Sequence, residues 1–170
     1  IIDPKNEQLE DVIITGNKRR VQSLISIDPE VVKKNPSLSG GLDSVLKTYP
    51  SINGNSDLSS GYNVRGGNYD ENLVYVNEIE VYRPFLIRSG QQEGLSFTNT
   101  DMVENVDFSA GGFQSKYGDK LSSVLDITYR NPKRFKAGLE ASLLGGSLTA
   151  EGVSKNQKWS NITGVRYRDN

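Results

Sequence analysis

From Phe135 to Arg168 apolar and polar residues change places at almost every step. Phe135, Ala137, Leu139, Ala141 and Leu143 alternate with Lys136, Gly138, Glu140 and Ser142, and Leu148, Ala150 and Gly152 alternate with Thr149, Glu151 and Val153. A third run sets Trp159, Thr163, Val165 and Tyr167 on one side and Arg166 and Arg168 on the other. Successive side chains of a strand point to opposite faces, so this pattern predicts strands with one apolar face. Two settings use such strands: an amphipathic meander in a soluble sandwich, and the wall of a transmembrane barrel. The run from Trp159 to Tyr167 spans roughly 26 Å when extended and about 20 Å along a membrane normal at ~40° tilt, which suits two aromatic girdles. Three strands cannot close a barrel, whose count starts at about eight. Open edges do not survive in hydrocarbon, so the expectation on the barrel reading is a piece of a longer polypeptide.

Composition removes whole classes of function. Lys plus Arg is 20 against Asp plus Glu at 21, a formal charge of -1, so there is no broad electrostatic footprint for nucleic acid. With neither histidine nor cysteine, disulfides, Cys/His zinc sites and the Ser-His-Asp arrangement are all excluded. No run approaches the ~18 apolar residues of a spanning helix, so membrane residence has to come through strands. The first residue is Ile1, and no basic stretch with an apolar core precedes the domain, which reads as a mature or partial product. Hydrophobic content of 35% with 17 glycines suits a turn-rich domain that leans on a larger host.

Upstream of the alternation the texture is mixed. Residues 1–10 read as a linker, and Asp11, Val12, Ile13, Ile14, Thr15 and Gly16 form a β-branched run fenced by charge and glycine. Such a run either pairs within its own domain or adds as a strand to another protein's sheet edge. From Ile27 to Tyr49 the pattern is helical: Asp28-Pro29-Glu30 is a cap-like start, and Leu42, Val45, Leu46 and Tyr49 share one face, with a Ser-Gly-Gly break at Ser39 to Gly41 between two short helices. Glu30, Lys33, Lys34, Asp43 and Lys47 are expected on solvated faces. Leu73–Val76 and Ile79–Tyr82 read as a hairpin about Asn77-Glu78, where Glu78 either forces another turn type or sits strained, since a type I′ turn favours glycine. Residues 99–103 read as one helical turn, 106–108 and 124–128 as strands, and 111–118 as a loop.

Residues 62–77 (YNVRGGNYDENLVYVN) and 111–127 (GGFQSKYGDKLSSVLDI) each join a glycine-bearing turn to a short β-branched run, and the first sets Arg65 against Gly66 and Gly67. In this order and spacing the pair resembles the plug domain of TonB-dependent outer-membrane receptors, in the version with a Val-Arg-Gly-Gly turn seen in Bacteroidetes proteins, over residues 9–126. The resemblance implies an α+β fold, a plug with a mixed four-stranded sheet and short helices, followed by the first strands of a transmembrane antiparallel β-barrel. It divides the chain into a linker and coupling segment at 1–16, a plug at 17–132 and wall strands at 133–170.

The family's way of working then assigns roles. Asp11 to Gly16 lie where the TonB box lies, the segment that pairs with the TonB C-terminal domain in the periplasm. Arg65, with Gly66 and Gly67, corresponds to the plug arginine that pairs with glutamates of the barrel wall, and a planar guanidinium suits a bidentate carboxylate. Tyr69, Tyr82, Arg83, Phe85, Arg88 and Gln91 fall on the loops that face substrate. The other partners implied are the rest of the barrel, outer-membrane lipid and a surface lipoprotein or larger outer-membrane complex. No cofactor is implied, because the inner-membrane proton gradient supplies the energy, and the glycine clusters lack the ending of a phosphate-binding loop. The pairs Asp70 with Glu71 and Asp101 with Glu104 have no clustered third ligand, so neither metal nor catalytic site is expected. Two functions follow: energised import of a nutrient or chelate, and a receptor-like structural subunit of a larger outer-membrane assembly that transports nothing.

Overall fold

The computed structural model describes residues 24–34, 41–54, 61–84, 97–119, 121–143 and 145–168. Among the described residues ten strands and two short helices run in the order β1 (Ile25–Ile27), α1 (Pro29–Lys34), α2 (Leu42–Leu46), β2 (Ile52–Asn53), β3 (Asn63–Val64), β4 (Asn72–Val76), β5 (Ile79–Glu80), β6 (Val103–Ser109), β7 (Ser123–Tyr129), β8 (Lys136–Ser142), β9 (Gly145–Val153) and β10 (Ser160–Arg168). Short 3₁₀ turns at Tyr69–Glu71 and Thr100–Met102 introduce β4 and β6.

Five strands form one mixed sheet in the order β1-β6-β7-β4-β5, with β4 and β7 parallel and every other pair antiparallel. The expected sheet had four strands. The fifth is β1, a three-residue edge on β6 of which only Ile27 is buried, too short for any periodicity to mark it. The core lies between this sheet and the helices: Leu42, Val45 and Leu46 of α2 pack with Ile52, Val64, Val74, Val106, Phe108, Leu125 and Ile127, with Tyr49 half-buried beside them. Each fully buried aliphatic or aromatic side chain here contributes about 1.5–3 kcal/mol. Asp28 caps α1 as its position suggests, its Oδ1 accepting from the Glu30 N–H at 2.8 Å.

Asp43 departs from its expected solvated face. It sits in the first turn of α2 at 7% exposure beside Tyr62, because a helix this short, wedged against the core, presents its first turn inward as well. Burial pushes the Tyr62 phenol above its usual range, and the Asp43 charge adds to that.

The hairpin between β4 and β5 is tight. Asn77 and Glu78 have φ of 48° and 68°, the two left-handed residues of a type I′ turn, so Glu78 is strained rather than the turn re-typed. Asn77 is held in place: its N–H donates to Ile127 O at 2.9 Å and its Oδ1 accepts from the Tyr129 N–H at 2.9 Å. Glu78 stays because its neighbour is pinned. A left-handed residue with a side chain costs about 1–2 kcal/mol, and added glycine freedom in the unfolded chain returns about 0.4–1 kcal/mol of that. Glu78→Gly is therefore expected to raise the unfolding free energy of the domain, measured in urea, by a net ~0.5–1 kcal/mol; an unchanged or lower value would contradict a strained turn.

Candidate functional site

The two glycine-bearing signatures meet at one end of the mixed sheet. Val64 to Gly67 is a β-turn closed by the Gly67 N–H donating to Val64 O at 2.9 Å, with φ of 49° at Arg65 and 82° at Gly66. Ser122, from the second signature, locks onto it: its hydroxyl reaches Val64 O at 3.3 Å and Glu71 Oε2 at 3.1 Å, while its N–H donates to Glu71 O at 3.2 Å. A Cβ on Gly67 would fall 1.7 Å from Ser122 Oγ and 2.6 Å from Glu71 Oε2, so only glycine fits. Because β4 and β7 run parallel from Asn72 and Ser123, and β5 returns beside β4 so that the Val81 N–H reaches Val74 O at 2.8 Å, the segments around Tyr69, Tyr82 and Arg83 gather at this same end.

Arg65 is exposed, and its Nη1 would lie 3.1 Å from a Cβ on Gly111, so the first signature's arginine rests where the second has a glycine with φ 104°. Among the described residues no carboxylate pairs with it. Tyr69 and Tyr82 are 55% and 82% exposed, and Arg83 is exposed too. Residues 11–16, Phe85, Arg88 and Gln91 lie outside the described residues. Close by, Tyr117 donates to Asp126 Oδ2 at 2.5 Å, Lys116 pairs with the same oxygen at 3.2 Å, and the Tyr75 and Tyr117 rings meet edge to face at 5.5 Å. Burial first, then the hydrogen bond to Asp126, holds the Tyr117 phenol above its usual range.

The second meeting place involves β8, β9 and β10, an antiparallel meander in the order β10-β9-β8. Leu139 stands opposite Leu148 and Leu148 opposite Val165, so the apolar positions of all three strands share one face, as the alternation predicts. That face points away from the rest of the molecule: Leu139, Leu148, Val165 and Tyr167 are 81%, 53%, 63% and 68% exposed, with Phe135, Leu143 and Trp159 exposed at the strand ends. On β9 and β10 the polar face turns inward, while β8 is exposed along its whole length. Glu151 is 9% exposed and pairs with Arg130 Nη2 at 2.6 Å, Ser147 Oγ donates to Asp101 Oδ2 at 2.6 Å, and Arg166 Nη1 donates to Thr98 O at 3.1 Å. A cavity of about 150 Å³ remains beside these contacts, lined among others by Lys136, Glu140 and Thr149.

A family model described as the TonB-dependent receptor plug domain matches residues 17–123. The chain belongs to that family. No curated protein matches it in sequence. Among solved structures it is similar to the ferric enterobactin receptor of Pseudomonas aeruginosa. A mutant of that receptor in complex with enterobactin is 19% identical, with a TM-score of 0.58 over 85% of this chain and 24% of the receptor. A double mutant is 17% identical, with a TM-score of 0.57 over 84% of this chain and 24% of the receptor. The likeness is one of fold, and the chain spans about a quarter of the length of those receptors.

In the plug, then, the two sequence signatures are one structural unit, and Ser122 is its fastener, a residue the sequence reading passed over inside the second signature. Arg130, Glu151 and Ser147 were missed as well. One available signal was the face opposite the aromatics, which carries Lys136, Glu140, Glu151 and Arg166. Forcing a methyl between Gly67 and Ser122 is overpacking that typically costs about 1–3 kcal/mol. Gly67→Ala should destabilise the plug by that amount in urea unfolding; a variant as stable as the parent would show that Ser122 and Glu71 do not close on this turn.

Proposed function

We propose that this chain is the plug and the first wall strands of an outer-membrane receptor of a Gram-negative bacterium, one that closes its own barrel and opens it for energised import of a nutrient or chelate. The observation that supports this best is the inverted meander. At about 1.5–3 kcal/mol for each large apolar side chain left in water, the outward face forgoes on the order of 10 kcal/mol, as much as the whole stability of a typical domain. Set in lipid, the same face is satisfied. Among the described residues no helix is long and apolar enough to cross a membrane, which is no objection to crossing by strands.

In this reading residues 133–170 begin the wall, residues 17–132 are the plug, and residues 11–16 are the segment on which the TonB C-terminal domain pulls. Arg65, exposed at a turn whose backbone is left-handed, meets a carboxylate of the wall beyond these three strands. Tyr69, Tyr82, Arg83, Phe85, Arg88 and Gln91 face the external cavity, where aromatic and guanidinium groups give contact area and orientation to a polar ligand.

The reading is tested in the full-length receptor by deleting residues 11–16. Energised uptake, measured as growth on the limiting nutrient that the intact receptor supports, should be abolished, while outer-membrane insertion and external ligand capture stay at the parental level. Undiminished uptake in the deletion contradicts the coupling role of this segment.

A further inference from the structure

Residues 98–102 hold an almost unbroken line of contacts with the inner face of the meander. Thr98, 1% exposed, offers its carbonyl to Arg166, and Asp101 accepts from Ser147. Asn99 and Met102 lie over Gly164, where a Cβ would come to 2.5 Å from Asn99 Nδ2 and 2.6 Å from Met102 Sδ. Arg130 closes the group from behind: its N–H donates to Met102 O at 2.9 Å, its Nη2 donates to Asp101 O, and the same nitrogen pairs with Glu151. Asn99 also caps the turn, its Oδ1 accepting from the Asp101 N–H at 3.1 Å.

Glycine inside a strand weakens it and marks a place where another part of the chain comes close. Gly164 is such a place, an opening in β10 into which the turn fits. The contacts around it are part-buried, so a group that loses its partner has little water to replace it. From this geometry we infer that residues 98–102 are the fixed footing of the plug on the wall, the last part of the plug to let go, with Gly164 and Arg130 as its positioning residues. The passage for an imported molecule then opens on the side of the plug away from β9 and β10. The inference rests on the reading of β8–β10 as membrane wall and of the plug as the moving part.

Hydrogen exchange of the full-length receptor in detergent micelles, followed by residue in rising sub-denaturing urea, reads the order in which segments let go. The amides of Asp101, Met102 and Arg130 should exchange together with those of β9 and β10, at least about tenfold more slowly than those of β2, β3 and β5. Gly164→Val gives β10 a better strand former, yet its branched side chain displaces Asn99 and with it the cap. It should leave β9 and β10 protected while raising exchange at the three footing amides by about tenfold. Gly164→Ala should raise it less, since a single methyl meets only the ends of the Asn99 and Met102 side chains, which give way to it more easily than to a branched group. Footing amides that exchange with β2 and β3 in the unaltered receptor, or that ignore Gly164→Val, overturn the inference. Failure of the wall reading shows separately, as a receptor that stays soluble when detergent is withdrawn.

Discussion

A charge turned inward must find a partner, and the contact between the meander and the mixed sheet is arranged around that requirement. The Arg130 to Glu151 pair is the clearest case: Glu151 is buried, and Arg130 sits between the last strand of the mixed sheet and the first strand of the meander. An unpaired carboxylate at that depth would cost several kcal/mol. Arg130 thus does two jobs, binding the meander through its guanidinium and the 3₁₀ turn through its backbone. With the polar face so occupied, the apolar residues have only the outside left to them.

The same logic of forced pairing explains the strained turns. Arg65 and Glu78 both hold left-handed backbone that side-chain-bearing residues rarely adopt. Each is overruled by a neighbour: the Val64 to Gly67 turn by Ser122, and the β4 to β5 turn by the Asn77 bonds to β7. Strain of this kind persists where surrounding structure fixes the backbone more firmly than local preference opposes it. The arginine at the first turn is consequently presented at the surface with its direction set, resting over Gly111.

Much of this was legible in the sequence because it is local. Period two in residues 135–168 is realised in the register that puts Leu139, Leu148 and Val165 on one face, and the spacing of Leu42, Val45 and Leu46 is realised in α2, with Tyr49 packed against the core just past its end. What escaped is non-local or too short to have a period. β1 is three residues long, Asp43 is buried by its tertiary neighbours, and Arg130 finds Glu151 only after the chain has turned back on itself. Ser122 escaped because nothing in its own neighbourhood tells that it closes on Val64 and Glu71.

The central claim is that the exposed face of β8–β10 meets lipid, and spin labels on the reconstituted full-length receptor test it most directly. Nitroxides at Leu148 and Val165 should collide freely with oxygen dissolved in the bilayer and be hidden from a water-soluble nickel chelate, whereas a label at Thr149, one position along on the inward face, should escape that oxygen. Labels at Leu148 and Val165 that the nickel chelate relaxes as readily as it does a label in open water would contradict the account.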